Sequence, residues 1–185
     1  MAYGFLILLG VVALFVVWAV SAYNGLVTKK ALVDEGWSGI DVQLKRRYDL
    51  IPNLVETVKG YAGHEKSVFE NVTRLRSSAM NATTLQEKVE AEGQLTSALK
   101  TLFAVAENYP ELKANQNFLS LQQSLGAIED EIQLSRRYYN GAARIYNVAV
   151  TVLPTNIIAQ ITGFSKVPYF EATEAEREVQ RVKFD

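Results

Sequence analysis

Hydrophobic positions along the chain fall into two regimes before the pattern weakens near the C-terminus. From Ala2 to Val20 no residue is charged, and the uncharged stretch continues to Thr28 before Lys29 and Lys30. At 1.5 Å per residue, about 20 helical residues cross the ~30 Å hydrocarbon layer of a bilayer, so this run predicts a membrane-spanning helix. Tyr3 lies at one edge, and Trp18 and Tyr23 at the other, where amphipathic rings favour the headgroup level. A signal peptide cut after Ala22 is the competing reading. The run has no basic n-region and is longer than the usual apolar core of such peptides, which favours a retained anchor over residues 1–28. Lys29 and Lys30 follow the span. The positive-inside rule then puts the N-terminus outside and the body in the cytoplasm.

In the second regime the spacing becomes heptad-like. Leu26, Lys30, Val33, Trp37, Ile40, Leu44, Arg47, Ile51, Leu54, Val58, Tyr61, Glu65, Val68, Val72 and Leu75 follow a strict 4,3 alternation, and only Lys30, Arg47 and Glu65 are charged. One helix face therefore seeks helical partners, and the rod is expected to leave the membrane unbroken. Pro52 predicts a kink within it. The polar stretch Arg76–Thr83 is read as the end of this first helix, and Thr84-x-x-Glu87 as a capping box opening the second. The second carries Leu85, Val89, Leu95, Leu99, Leu102 and Ala106, and should stop at Asn108-Tyr109-Pro110. Phe118, Leu121, Leu125, Ile128, Ile132, Ser135, Tyr139, Ala142, Tyr146, Ala149 and Leu153 mark a third helix halted at Pro154. Asn156–Ile161 reads as a short helix closed by Gly163, Lys166–Phe170 as extended chain, and Thr173-x-x-Glu176 as the cap of a polar tail helix. The expected fold is all-α: one N-terminal span continuing into an elongated antiparallel bundle over residues 29–185, with a short helical tail. Because one short second helix cannot cover two long ones, the apolar excess predicts a homo-oligomer.

Composition narrows the function classes. Nineteen Lys and Arg balance 20 Asp and Glu, which argues against nucleic acid as a partner. With no cysteine, thiolate chemistry, iron–sulfur clusters and Cys-based zinc sites are excluded. His64 is the single histidine, and His64-Glu65-Lys66-Ser67-Val68 lacks the second imidazole of a helical zinc motif. No Gly-x-Ser-x-Gly elbow, phosphate loop or dinucleotide fingerprint is present, so no catalytic residue, metal or cofactor is assigned. Glu129, Asp130 and Glu131 read as a solvated face, and Gly36 and Gly39 as places of close helix approach or local flexibility.

A few residues stand out as structural or interaction candidates. Arg46 and Arg47 lie more than about 20 Å past Lys29 and Lys30 along an upright helix, beyond the reach of lipid charge. They are expected in internal or interprotomer ion pairs, with Asp49 or a Glu on a facing helix. Tyr139-Asn140 and Tyr146-Asn147 repeat one heptad apart and share a face. They either fill the core with their polar tips satisfying one another, or form a polar layer between protomers.

The block Gln43-Leu44-Lys45-Arg46-Arg47-Tyr48-Asp49-Leu50-Ile51-Pro52-Asn53-Leu54-Val55, with Val58-Lys59-Gly60-Tyr61-Ala62-x-His64-Glu65 after it, resembles the signature of the LemA family of bacterial membrane proteins. Asn108-Tyr109-Pro110-x-Leu112-Lys113-Ala114, Phe118-x-x-Leu121-Gln122, Arg137-x-Tyr139-Asn140 and Tyr146-Asn147 extend the likeness, which runs the length of the chain. The resemblance implies a single-pass inner-membrane protein with its short N-terminus outside and a cytoplasmic helix bundle. It also implies no established enzymatic activity, and an association with membrane invagination through a magnetosome protein. Frequent gene neighbours suggest a membrane metalloprotease or a TPM-domain protein as partner. The expectation is a scaffold acting by self-association and partner binding, with lipid held through the anchor. The alternative is an enzyme, or an enzyme accessory, whose site forms between protomers.

Overall fold

The computed structural model describes residues 2–170, and the tail helix expected at Thr173 lies outside them. The described residues form six helices and no strand: α1 (Ala2–Lys59), α2 (Lys66–Asn81), α3 (Leu85–Ala106), α4 (Pro110–Lys113), α5 (Gln116–Thr151) and α6 (Thr155–Thr162). The fold is all-α, and the chain divides into two compact units. One takes residues up to Gly39 with Ser135–Tyr169, the other Ile40–Leu134 with Phe170.

In the first unit α1 and α5 run antiparallel, because contacts at Glu35 and Trp37 of α1 are with Tyr138 and Tyr139, whereas Leu26, farther toward the N-terminus of α1, shares a core with Ala149 and Val150, farther toward the C-terminus of α5. Glu35 accepts from the Tyr138 hydroxyl at 3.3 Å, the Trp37 and Tyr139 rings meet at 5.8 Å, and Leu26 packs beside Ala149 and Val150. Gly36 permits the approach: a Cβ there would stand 3.0 Å from the Tyr139 Cα. After Thr151 the chain turns at Pro154 into α6, which is bent 95° from α5. Gly163 ends α6 in the left-handed region (φ 80°), as expected for a helix-closing glycine. Phe164 then rests on Tyr23 and Tyr146, with ring centroids 5.9 and 6.4 Å away.

The second unit corrects the length of the first helix. The rod does not run to Leu75; it ends at Lys59, and after the turn Gly60–Glu65 the chain starts afresh as α2. Gly60 opens the turn and Gly63 lies within it, Ala62 is buried between them, and Tyr61, assigned to the seam, is 39% exposed. Phe69, Val72, Leu75 and Ala79 of α2 are buried within the chain, and α2 packs on α3. The part of the seam that falls on α2 is thus covered within the chain. Thr84 caps α3 as expected: its side chain accepts from the Glu87 N–H while the Glu87 carboxylate accepts from the Thr84 N–H. Those backbone donors, Thr84 first, hold the Glu87 carboxyl below the usual carboxylate range.

Candidate functional site

Two arrangements carry polar or membrane-type chemistry, one in each unit. In the first, the large apolar side chains of α1 from Tyr3 to Val17 point outward with no protein over them, and the most apolar stretch of this helix is wholly unburied. Burial begins at Trp18 and Ala19. Ile158 and Ala159 of α6 form a core with Leu26, and Trp18, Ala19 and Ala22 pack against it. Tyr3 is exposed near the helix start, and Tyr23 contacts Phe164. Of the two lysines, Lys29 donates to the Gly25 carbonyl at 3.4 Å and Lys30 pairs with Asp34.

The Tyr–Asn repeat is placed in this unit too. Tyr139 and Tyr146 are buried, yet the polar tips do not simply satisfy one another. The Tyr139 hydroxyl donates to the Pro168 carbonyl at 2.8 Å. Asn147 donates to the Val167 carbonyl at 2.8 Å and accepts from the Val167 N–H at 2.9 Å, making a two-way amide clamp on the extended segment. Burial raises the Tyr139 hydroxyl above its ordinary value, with Asp34 adding to the effect. Asn140 is half-buried on α5.

The second unit is organised around Arg47. Arg47 is 4% exposed, and its guanidinium lies between two carboxylates, Glu92 of α3 at 3.3 Å and Glu129 of α5 at 3.2 Å, with the Thr96 hydroxyl 2.8 Å from the other amino group. Glu92 is fully buried, and its second oxygen accepts from the Tyr48 hydroxyl. Burial, reinforced by the Glu92 charge and hydrogen bond, pushes the Tyr48 phenol far above its ordinary value, so it stays a donor. Arg76 of α2 donates to the Tyr48 carbonyl at 2.7 Å, and Lys88 of α3 pairs with Asp41 at 2.7 Å. Four helices are thereby tied to one polar knot. A cavity of ≈ 450 Å³ opens beside it, walled by Leu99, Phe103 and Leu125 and ending on Arg47 and Glu129.

Other sequence candidates lie away from the knot. Arg46 is exposed and donates to Gln43 at 3.1 Å; Asp49, Pro52 and Asn53 are exposed on α1, which continues through Pro52. Glu129, assigned to a solvated face, instead closes the ion pair with Arg47. His64 is exposed in the turn after α1, and no cluster of metal-ligating side chains forms among the described residues. Glu92 escaped the sequence reading. The signal was present, since Glu92 fills the missing place in the alternation Leu85, Lys88, Glu92, Leu95, Leu99, Leu102, Ala106, as Arg47 does between Leu44 and Ile51.

These features define an all-α protein in which one long apolar N-terminal helix leads into helices packed on one another. The LemA family model matches residues 36–184, and the chain belongs to the LemA family. It is 30% identical over 193 residues to Magnetosome protein MamQ 2 of Paramagnetospirillum magneticum, covering 90% of this chain and 71% of that protein. Magnetosome protein MamQ of Magnetospirillum gryphiswaldense is 28% identical over 187 residues, covering 87% and 69%. Protein LemA of Metamycoplasma hominis is 29% identical over 155 residues, covering 83% and 71%.

Proposed function

We propose that the chain is a membrane-anchored helical scaffold of the bacterial inner membrane, held by α1 from Ala2 to Val20 with the rest of the protein in the cytoplasm. The observation that carries this reading is the bare apolar face of α1: outward Phe5, Leu6, Leu9, Val12, Phe15 and Val16 have no protein cover, and contiguous apolar surface of this size is not left to water. Lys29 and Lys30 after the span support the orientation. The relatives named as magnetosome proteins support a part in membrane organisation. The role is structural rather than catalytic, since the buried ionisable groups Arg47, Glu92 and Tyr48 are engaged with one another across helices. Self-association belongs to the same reading. The exposed face of α5 carries Tyr138, Ile145 and Val148 at helical spacing, a stripe suited to a second helix.

The chain has no cysteine, so one introduced at exposed Asn81 reports topology alone. In intact cells it should resist an impermeant maleimide and react after lysis. Ready labelling in intact cells refutes the orientation, and release of the protein from membranes by carbonate at high pH refutes the anchor.

A further inference from the structure

We propose that α6 and the turn before it form a second, in-plane contact with the lipid surface through Leu153, Ile157 and Ile161. The proposal rests on reading the start of α1 as a span. It follows from the depth, direction and chemistry of α6 within the first unit.

Depth comes from the packing partners. α6 docks through Ile158 and Ala159 on the surface made by Trp18, Ala19, Ala22 and Leu26. These residues directly follow the bare apolar stretch of α1, and Trp18 to Leu26 covers only about 12 Å of helix. The interfacial layer between hydrocarbon and water is itself about 5–8 Å thick on each side of a bilayer. A segment docked at Trp18 therefore sits where acyl chains give way to headgroups.

Direction comes from the bend. α5 runs antiparallel to α1 in this unit, and α6 departs from α5 by 95°. It therefore crosses α1, and a helix crossing a spanning helix lies in the membrane plane. Backbone carbonyls at the bend are met from within the chain: the Thr155 hydroxyl lies 2.7 Å from the Ala149 carbonyl and 3.0 Å from that of Val152, and the Asn156 N–H donates to the Val152 carbonyl at 2.9 Å.

Chemistry completes the case. No charged residue occurs between Arg144 and Lys166. The Thr162 hydroxyl donates to the Ile158 carbonyl at 2.6 Å, turning another polar group inward. Ile157 and Ile161, four apart on one side of α6, are left 47% and 77% exposed, and Leu153, in the turn before the helix, 74%. Leu153, which the heptad spacing assigned to the core stripe of α5, thus points away from protein. An uncharged apolar face level with the end of a span is the form that interfacial helices take, their apolar side reaching about 5–10 Å into the headgroup boundary. Exposed Lys166, beyond the reversal at Gly163, lies where an ammonium group meets lipid phosphates.

The test uses the full chain in vesicles of phosphatidylcholine and phosphatidylglycerol. Ile161→Cys, and separately Ile157→Cys, carry an environment-sensitive fluorophore; Val12→Cys marks the span and Asn81→Cys the second unit. Each is quenched by iodide from water and by lipid bearing a nitroxide high on the acyl chain. Labels at 157 and 161 should be quenched severalfold more by nitroxide lipid than by iodide, as at Val12, with the reverse at Asn81. If both are reached by iodide and spared by nitroxide lipid while Val12 is quenched by lipid, the α6 contact is refuted and the anchor stands. Shielding from both quenchers also refutes it, since protein then covers α6. Iodide quenching at Val12 removes the anchor, and the proposal with it.

Discussion

Arg47 is a charge kept out of water by its neighbours, and the consequence of removing either partner is asymmetric. Glu92 is wholly buried, so Arg47→Met strands a carboxylate without its counter-ion and should cost about 3–5 kcal/mol. Arg47→Met with Glu92→Leu removes both charges and should recover most of that loss, which thermal melts of the detergent-solubilised single and double variants will show. Recovery of none of it would mean that the knot contributes through its links to Thr96 and Glu129 instead. Tyr48 adds a pH dependence whose sign is fixed by its raised pKa. The unfolded phenol ionises near 10.0, whereas the folded one holds its proton, so this stabilisation is complete below pH 10.0 and declines as pH rises above it. Tyr48→Phe should flatten the alkaline fall in melting temperature between about pH 9 and 11. At this scale the sequence showed half the site. An arginine at a seam position announces a buried charge, but its partner is named only when the second seam is read with the same rule, in which case Glu92 declares itself.

Among the elements, the termini were legible and one break was not. Thr84 with Glu87 and Gly163 each carry a local chemical reason to start or stop a helix, and each does so. The turn at Gly60–Glu65 was hidden because heptad spacing records which residues are buried, not the helix they are buried against. Val68 and Val72 kept the seven-residue count across the turn while α2 packed on α3. Gly60 and Gly63 were the better signal. Contacts between elements also divide the helical glycines. Gly36 lies against the Tyr139 backbone, so Gly36→Val must push α1 and α5 apart and should destabilise by about 1–3 kcal/mol. Gly126 of α5 has open space at its Cβ, and Gly126→Ala should stabilise by about 0.5–1 kcal/mol through helix propensity. Circular dichroism melts of the two variants should therefore move in opposite directions. If they move together, the close crossing at Gly36 does not set the helix spacing.

For the molecule as a whole, α1 is the one element that serves both the bare apolar stretch and the folded units, running 58 residues or roughly 87 Å without interruption. The family match begins at residue 36, downstream of the stretch read as the span, yet Leu26 and Val33 before that boundary are core residues. Trp18, Ala19 and Ala22 face two ways: they close the apolar run and they are the floor on which Ile158 and Ala159 rest. The apolar run as a whole is consequently not an interchangeable module. A chimera that replaces residues 2–17 with the span of an unrelated single-pass protein should fold and melt like the parent. One that replaces residues 2–26 should lose protease resistance across α6 and the segment clamped by Asn147, even though its new span is equally apolar. Equal protease resistance in both would show that the join is a simple hinge. In recombination terms, the crossover point that preserves this protein lies inside its hydrophobic run, before Trp18, and not at the charged boundary where a hydropathy profile would place it.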